Sequence, residues 1–240
     1  MIGLYTDFGS QGPYVGQMIA AIDCYSSNST VVNIQSDLPA FDIDSCSILL
    51  AAYHQRHHFD TSYVCVVDPG LGSQPFTPVV VFADCRAYVG PNNGIFDRII
   101  LVSEYASVSE ILWSPETLSD SFHGRDLFAP IAAMLDSDSI PDNALRCIEY
   151  NPRIVNLSQP RIVYIDRYGN CVTGLFAAEY EGLDEVSIGE MTVKRKNTLT
   201  GVVEGELLLY ENSSGLLELA VNQGRADEVL GVNVGSAIIL

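Results

Sequence analysis

Ile2-Gly3-Leu4-Tyr5-Thr6-Asp7-Phe8-Gly9 is a short apolar run that ends in a carboxylate and a glycine. Ile2 to Tyr5 reads as a strand, Thr6-Asp7-Phe8-Gly9 as the turn that leaves it, and Gly12-Pro13 delivers the chain into Tyr14-Val15-Gly16-Gln17-Met18. Strand, turn, helix is the opening of an open α/β sheet, and a side chain at the carboxyl end of such a strand stands where these sheets take their ligands. Asp7 accepts hydrogen bonds on two oxygens, which suits a sugar diol or an ammonium group. The plainer alternative is that Asp7 caps the helix and Gly9 makes the turn. A kinase-type Asp-Phe-Gly is excluded, because no Gly-rich loop, strand lysine or catalytic loop precedes residue 7.

Outward from this stretch, strands and helices alternate over residues 1–150. Val15, Met18, Ile19 and Ile22 fall at helical spacing, and Val31 to Ile34 forms a second strand. Asp42 opens a helix carrying Ile43, Cys46, Leu50 and Tyr53 on one face. Tyr63 to Val67 is a continuous apolar run of the kind found in strands buried on both faces. Two strands follow at 78–82 and 86–89, then a helix near Arg125 with Leu127, Ile131, Met134 and Leu135 inward. The pattern predicts a mostly parallel sheet flanked by helices. Pro152 and Pro160 bracket a linker at 151–160, and residues 161–240 read as a smaller all-β, barrel-like domain with strands at 161–166, 171–175, 191–195, 205–210 and 235–240. The fold class is α/β with this second domain.

The chain has 240 residues, 48% of them apolar and 18% charged, which is enough for a sizeable core. Thirty acidic against twelve basic residues give a net charge of −18. That field argues against nucleic acid or an anionic membrane as partner and is compatible with a cationic small molecule. No leader and no bilayer-spanning segment is expected. Cys24, Cys46, Cys65, Cys85, Cys147 and Cys171 form no Cys-x-x-Cys pair, so they read as small buried residues of a reducing, cytoplasmic protein, with neither disulfide frame nor zinc site.

Five polar, glycine-bearing islands interrupt this scaffold: the Asp7 turn, Asp68-Pro69-Gly70-Leu71-Gly72-Ser73, Gly90-Pro91-Asn92-Asn93-Gly94, Phe122-His123-Gly124-Arg125-Asp126 and Ile165-Asp166-Arg167-Tyr168-Gly169-Asn170. Singly each is a turn, with Asp68 and Asp126 as possible helix caps and His123 as a satisfied histidine at a helix start. In order, Thr-Asp-Phe-Gly, Val-Asp-Pro-Gly-x-Gly-Ser, Gly-Pro-x-Asn-Gly, Phe-His-Gly-Arg-Asp-x-Phe-Ala-Pro and Ile-Asp-x-Tyr-Gly-Asn form one set, closed by Asn212-Ser213-Ser214-Gly215-Leu216-Leu217-Glu218-Leu219-Ala220-Val221-Asn222. This set resembles the S-adenosylmethionine hydroxide adenosyltransferases, relatives of the fluorinase and chlorinase enzymes, over nearly the whole chain.

The resemblance implies hydrolysis of S-adenosylmethionine to adenosine and L-methionine by attack of water or hydroxide at the ribose 5′ carbon, with no cofactor. It also implies a homotrimer in which the substrate sits between the N-domain of one subunit and the C-domain of its neighbour. Carried across, Asp7 holds the ribose hydroxyls, with Phe8 beside it and Phe41 lining the ribose. Asp68 and His123 orient and polarise the water. Asp166, Asn170 and Ser213 take the amino-acid end, and Tyr168 and Asn222 border the adenine. Two departures stand out: Pro75, in Gln74-Pro75-Phe76, occupies the place of the family's usual arginine, and Gly174 stands where asparagine is usual. Either another group, with Arg125 the candidate, substitutes for that arginine, or water activation is weakened.

Three alternatives remain. Without the arginine, the chain could bind S-adenosylmethionine or adenosine and not turn it over. A halide nucleophile is disfavoured, because Asp68 stands where halogenases carry a tyrosine and Gly124 where the fluorinase carries a serine. His54-x-x-His57-His58-x-Asp60 suggests a metal site, against the reading that these histidines sit at a helix end for its dipole and for solvent; no cysteine or paired carboxylate completes a ligand set.

Overall fold

The computed structural model describes residues 1–56, 61–70, 76–154, 160–198 and 202–240. The chain divides into two compact units, one of Met1–Ala51 with His58–Ile154 and one of Ala52–His57 with Val155–Leu240.

The first unit is a seven-stranded sheet in the order β2-β1-β3-β5-β4-β6-β7. Its strands are β1 (Ile2–Thr6), β2 (Val31–Gln35), β3 (Ser62–Val66), β4 (Pro78–Ala83), β5 (Arg86–Pro91), β6 (Ala106–Ile111) and β7 (Leu145–Ile148). β1, β2, β3, β5 and β6 point one way; β4 and β7 are reversed, so the sheet is mostly parallel with an antiparallel flank. Helices α1 (Tyr14–Tyr25), α3 (Asp97–Val102) and α4 (Ala129–Asp136) complete the unit with α2 (Ile43–Arg56) as far as Ala51, the last residues of α2 counting with the second unit. Asp42 caps α2, accepting from the Ser45 amide at 3.1 Å and its hydroxyl at 2.7 Å. β1 and β3 are buried at every position, as expected for strands covered on both faces. Met18 and Ile22 of α1 pack with Ile131, Ala132 and Met134 of α4 over Ile2, Leu4, Val64, Val66 and Val89 of the sheet. Ile19, expected inward, is 40% exposed.

The second unit contains β8 (Ile162–Ile165), β9 (Cys171–Phe176), β10 (Glu185–Ile188), β11 (Met191–Lys194), β12 (Leu207–Glu211), β13 (Leu216–Val221) and the short α5 (Ala226–Leu230). β12-β13-β9-β8 is an antiparallel sheet, and β10-β11 a separate antiparallel ribbon. Isolated bridges join these pieces: Arg195↔Leu209 between ribbon and sheet, then Ser187↔Ile239 and Arg161↔Ala237 through the C-terminal segment. The circuit runs round Ile162, Leu175, Val186, Val193, Leu209, Leu219 and Ile238, a barrel-like arrangement with its own core. The segment 235–240, expected as a strand, contributes only those bridges, whereas β10 and β13 are strands additional to the expected ones.

Cys46, Cys65 and Cys171 are buried and Cys24, Cys85 and Cys147 exposed, which corrects the expectation that all six are interior; all six are free thiols. Among the described residues no helix is long and apolar enough to cross a membrane.

Candidate active site

Chain order in the sheet reverses between β1 and β3. From β1 the chain goes to β2 on one side, then crosses to β3 on the other. A crevice opens at the carboxyl ends of strands at such a reversal. Asp7 follows β1 and Asp68 follows β3, so the two carboxylates flank that crevice.

The loop after β2 is sewn onto the loop after β1. The Gly9 amide donates to the Ser36 carbonyl at 2.6 Å, the Leu38 amide to the Thr6 carbonyl at 3.3 Å, and the Phe41 amide to Asp7 Oδ2 at 3.0 Å. α1 begins only at Tyr14 and takes no side-chain cap, so the reading of Asp7 as its cap falls. Holding that last bond costs something: Phe41 sits at φ 64°, in the left-handed region that a bulky side chain avoids, and its ring is 71% exposed. Backbone strain of this kind is found where surrounding structure holds it in place, here the bond from the Phe41 amide to Asp7.

Asp7 and Asp68 share a cavity of about 350 Å³ with Phe8, Tyr14, Phe41, Val66, Ser121, Phe122, His123, Gly124 and Phe128. Three rings form a cluster in its wall: Phe8–Tyr14 at 5.5 Å, Phe8–Phe122 at 5.8 Å and Tyr14–Phe122 at 5.4 Å between centroids. Faces of aromatic rings attract cations, so an acidic, aromatic-walled room is suited to a positively charged organic ligand. His123 enters from the turn before α4, where Gly124–Phe128 winds as a single π-helical turn. The extra residue of a π turn rotates side chains relative to the helix that follows, a device frequent at functional sites. Gly124 is tight against that wall, since a Cβ there meets the Phe122 ring at 3.2 Å.

Burial pushes the Asp7 carboxyl above its usual range, the Phe41 amide and its own amide oppose this, and the negative charge of Asp68 adds to the rise. The two carboxylates therefore feel one another, and a cation placed with them relieves the cost. On Asp68, the Gly70 amide donates to Oδ1 at 3.1 Å.

Of the residues implied by resemblance, Asp7, Phe8, Phe41, Asp68 and His123 meet in this cavity. The others belong to the second unit. Asp166 Oδ1 accepts from the Tyr168 amide at 2.8 Å and the Asn170 amide at 2.9 Å, and Oδ2 from Asn170 Nδ2 at 3.0 Å. Tyr168 is 75% exposed. Ser213 is exposed in the turn whose Asn212 Oδ1 accepts from the Ser214 and Leu216 amides. Asn222 donates through Nδ2 to the Val202 carbonyl at 2.9 Å. Nearby Glu218 is buried, binds the Tyr210 hydroxyl and Asn212 Nδ2, and has its carboxyl pushed up by burial.

Arg125 is not among the residues lining the cavity. Its guanidinium makes a bidentate pair with Asp126, reaches Gln17 Oε1 at 2.8 Å, and lines a separate surface hollow with Cys24 and Tyr25. Its guanidinium carbon lies 5.2 Å from the Phe122 centroid. Gln74 and Pro75 lie outside the described residues, as do His57, His58 and Asp60; His54, expected toward solvent, is 3% exposed near the end of α2. Among the described residues no group of three His, Cys, Asp or Glu side chains is arranged to hold a metal ion. Sequence reasoning missed Tyr14, Phe122 and Phe128 as cavity walls; the signal available was an aromatic at the first position of α1 and two more flanking His123.

Residues 2–144 match the model of the SAM hydroxide adenosyltransferase N-terminal domain, and residues 160–239 that of its C-terminal domain. A Thermus thermophilus protein named (R)-S-adenosyl-L-methionine hydrolase is 30% identical, the alignment covering 98% of this chain and 97% of that one. A Methanocaldococcus jannaschii protein of the same name is 25% identical over 97% of this chain and 92% of its own. Among solved structures, an uncharacterized conserved protein from Thermotoga maritima superposes with a TM-score of 0.89 at 27% identity, covering 100% of this chain and 99% of that one. A conserved hypothetical protein from Thermus thermophilus gives 0.77 at 29% identity, covering 100% and 98%.

Proposed function

The chain belongs to the SAM hydroxide adenosyltransferase family, and from that premise we propose that it hydrolyses S-adenosyl-L-methionine to adenosine and L-methionine. The observation that carries the reading is the cavity itself, where Asp7, Asp68 and His123 face one space walled by Phe8, Tyr14, Phe41 and Phe122. The substrate is a sulfonium cation, which two carboxylates and aromatic faces attract.

In the proposed reaction the oxygen of water bonds to the ribose C5′ as the C5′–sulfur bond breaks. The bonding pair leaves with sulfur as a neutral thioether, and one proton passes from the attacking water to solvent through a base. No general acid is needed at the leaving group, and the reaction as written requires no cofactor. Catalysis is then a matter of alignment and of making water nucleophilic. We assign Asp7 to the ribose hydroxyls, Phe8 and Phe41 to the ribose wall, and Asp68 and His123 to the water. Asp166, Asn170 and Ser213 are assigned to the amino-acid end, Tyr168 and Asn222 to the adenine. A halide would enter a room already holding two carboxylates, where the charge of Asp68 already raises the Asp7 carboxyl, so water is the favoured nucleophile. A homotrimer and a cytoplasmic setting belong to the same proposal, the second supported by six free thiols.

The test is incubation of purified protein with separated (R) and (S) sulfonium epimers, with and without excess chloride, followed by chromatography and mass spectrometry. Adenosine and methionine in equal amounts, unaffected by chloride, are expected. A 5′-chloro product, or saturable binding with intact substrate, contradicts the reading.

A further inference from the structure

Resting on the assignment of Asp68 above, we propose that Asn93 is a positioning residue for Asp68, fixing through one buried hydrogen bond the backbone from which that carboxylate projects. Asn93 is absent from the cavity wall and 8% exposed, so it acts through another residue.

The need arises where β3 ends. Its register with β5 stops at Val64↔Val89 and with β1 at Thr6↔Val66, so Val67 lies beyond both ladders. Val67 is nevertheless fully buried, and a buried carbonyl requires a donor. Asn93 Nδ2 supplies it at 2.7 Å, one residue before Asp68, while its Oδ1 accepts the Ile95 amide at 3.2 Å. Both ends of one amide are thus used, and neither aspartate nor leucine of the same shape can satisfy both.

The loop that carries Asn93 is itself held. The Asn93 carbonyl accepts from Arg153 Nη2 at 3.1 Å, and Arg153 Nε pairs at 3.0 Å with Asp97, whose side chain is fully buried and also takes the Tyr150 hydroxyl. Two glycines let the parts meet. A Cβ on Gly90 would run into the Cys65 carbonyl oxygen, and one on Gly94, at φ 104°, into the Arg153 guanidinium. Gly-Pro-x-Asn-Gly is therefore read as a latch on the end of β3, a role that its turn-forming composition hides.

Misplacing a catalytic group by about 1 Å costs on the order of 100-fold in rate. The experiment measures kcat and KM for Asn93→Ala, for Asp68→Asn, and for the double variant, together with the carbon-13 carboxyl chemical shift of Asp68. Expected for Asn93→Ala are a kcat lowered about 10- to 100-fold with KM changed less than about threefold, a displaced Asp68 carboxyl resonance, and no further loss of kcat in the Asp68→Asn background. Asn93→Ser, which keeps a shorter donor, is run through the same cycle and answers the question if Asn93→Ala fails to fold. Wild-type kcat in a folded variant, a loss confined to KM, or losses that multiply in the double variant overturn the proposal. Wild-type protein without turnover instead counts against the hydrolase reading, and the Asp68 carboxyl resonance then decides alone: unchanged in the variant, it overturns the positioning role.

Discussion

The loops after β1 and after β8 each offer an aspartate, and they hold it in opposite ways. Asp166 has both oxygens served by its own loop, from the amides of Tyr168 and Asn170 and the Asn170 side chain. Asp7 is bonded by backbone amides alone among the described residues, sits partly buried beside Asp68, and has its carboxyl pushed up by burial. Ionised Asp166 organises a turn and so supports the fold of its unit. Ionised Asp7 works against folding, because burial without a counter-charge is costly. A carboxylate kept where it costs stability points to a ligand charge that relieves it, whereas one already held by its own loop meets a ligand without that cost.

Four measurements put this contrast at risk, in descending order of effect. If chemistry resides in the first unit, His123→Ala and Asp68→Asn each lower kcat by about 10²- to 10⁴-fold with the fold intact by circular dichroism. Equal losses from Tyr168→Phe would erase the distinction. Next, Asp7→Asn is expected to weaken substrate binding by calorimetry about 10- to 100-fold, the worth of a charge-assisted hydrogen bond of about 1.5–3 kcal/mol. It should also raise the melting temperature at pH 7, whereas Asp166→Asn lowers it. Matching signs in the two melts would show that the two loops hold their aspartates alike.

Phe41→Gly removes the left-handed strain and the ring together. Stability is expected to rise by about 0.5–1 kcal/mol in urea titration, the relief offset in part by glycine's unfolded-state entropy, while substrate affinity falls. The smallest effect is in pH. Because the Asp7 carboxyl is raised above 3.8, substrate affinity should begin to fall on acidification at a pH above that value. Asp126 and Asp227 are lowered by Arg125 and Arg225, so the stability they contribute is present above 3.8 and is lost only as pH falls through their depressed values. The Asp7 limb of binding therefore lies above the pH at which these two pairs are lost, and in Asp7→Asn that limb disappears.

The same contrast governs what the sequence discloses. The Asp7 turn is legible because a strand, a carboxylate and a helix follow one another within a few residues, whereas the crevice beside it follows from the strand order, with β2 and β3 on opposite sides of β1. The loops after β3, β5 and β8 are legible as polar islands between apolar runs. Geometry that depends on partners is not. Phe41 gives no sign in sequence of a left-handed backbone, and Gly124–Phe128 reads as ordinary helix because Leu127, Ile131 and Met134 keep helical spacing. β6 and β7 escape notice because they lie at the sheet's flank, where Ser107, Arg146 and Cys147 dilute the apolar pattern. β13 is hidden by Glu218, a charged residue in a fully buried strand that is tolerated because Tyr210 and Asn212 bond it.

The most direct measurement is turnover of S-adenosylmethionine in oxygen-18 water, with mass spectrometry of the adenosine. Water attack at C5′ predicts one heavy oxygen in adenosine, located at the 5′ position, and unlabelled methionine. Label in the methionine carboxylate in its place, or adenosine without label, contradicts attack of water at C5′ and with it the role given to the Asp7–Asp68–His123 cavity.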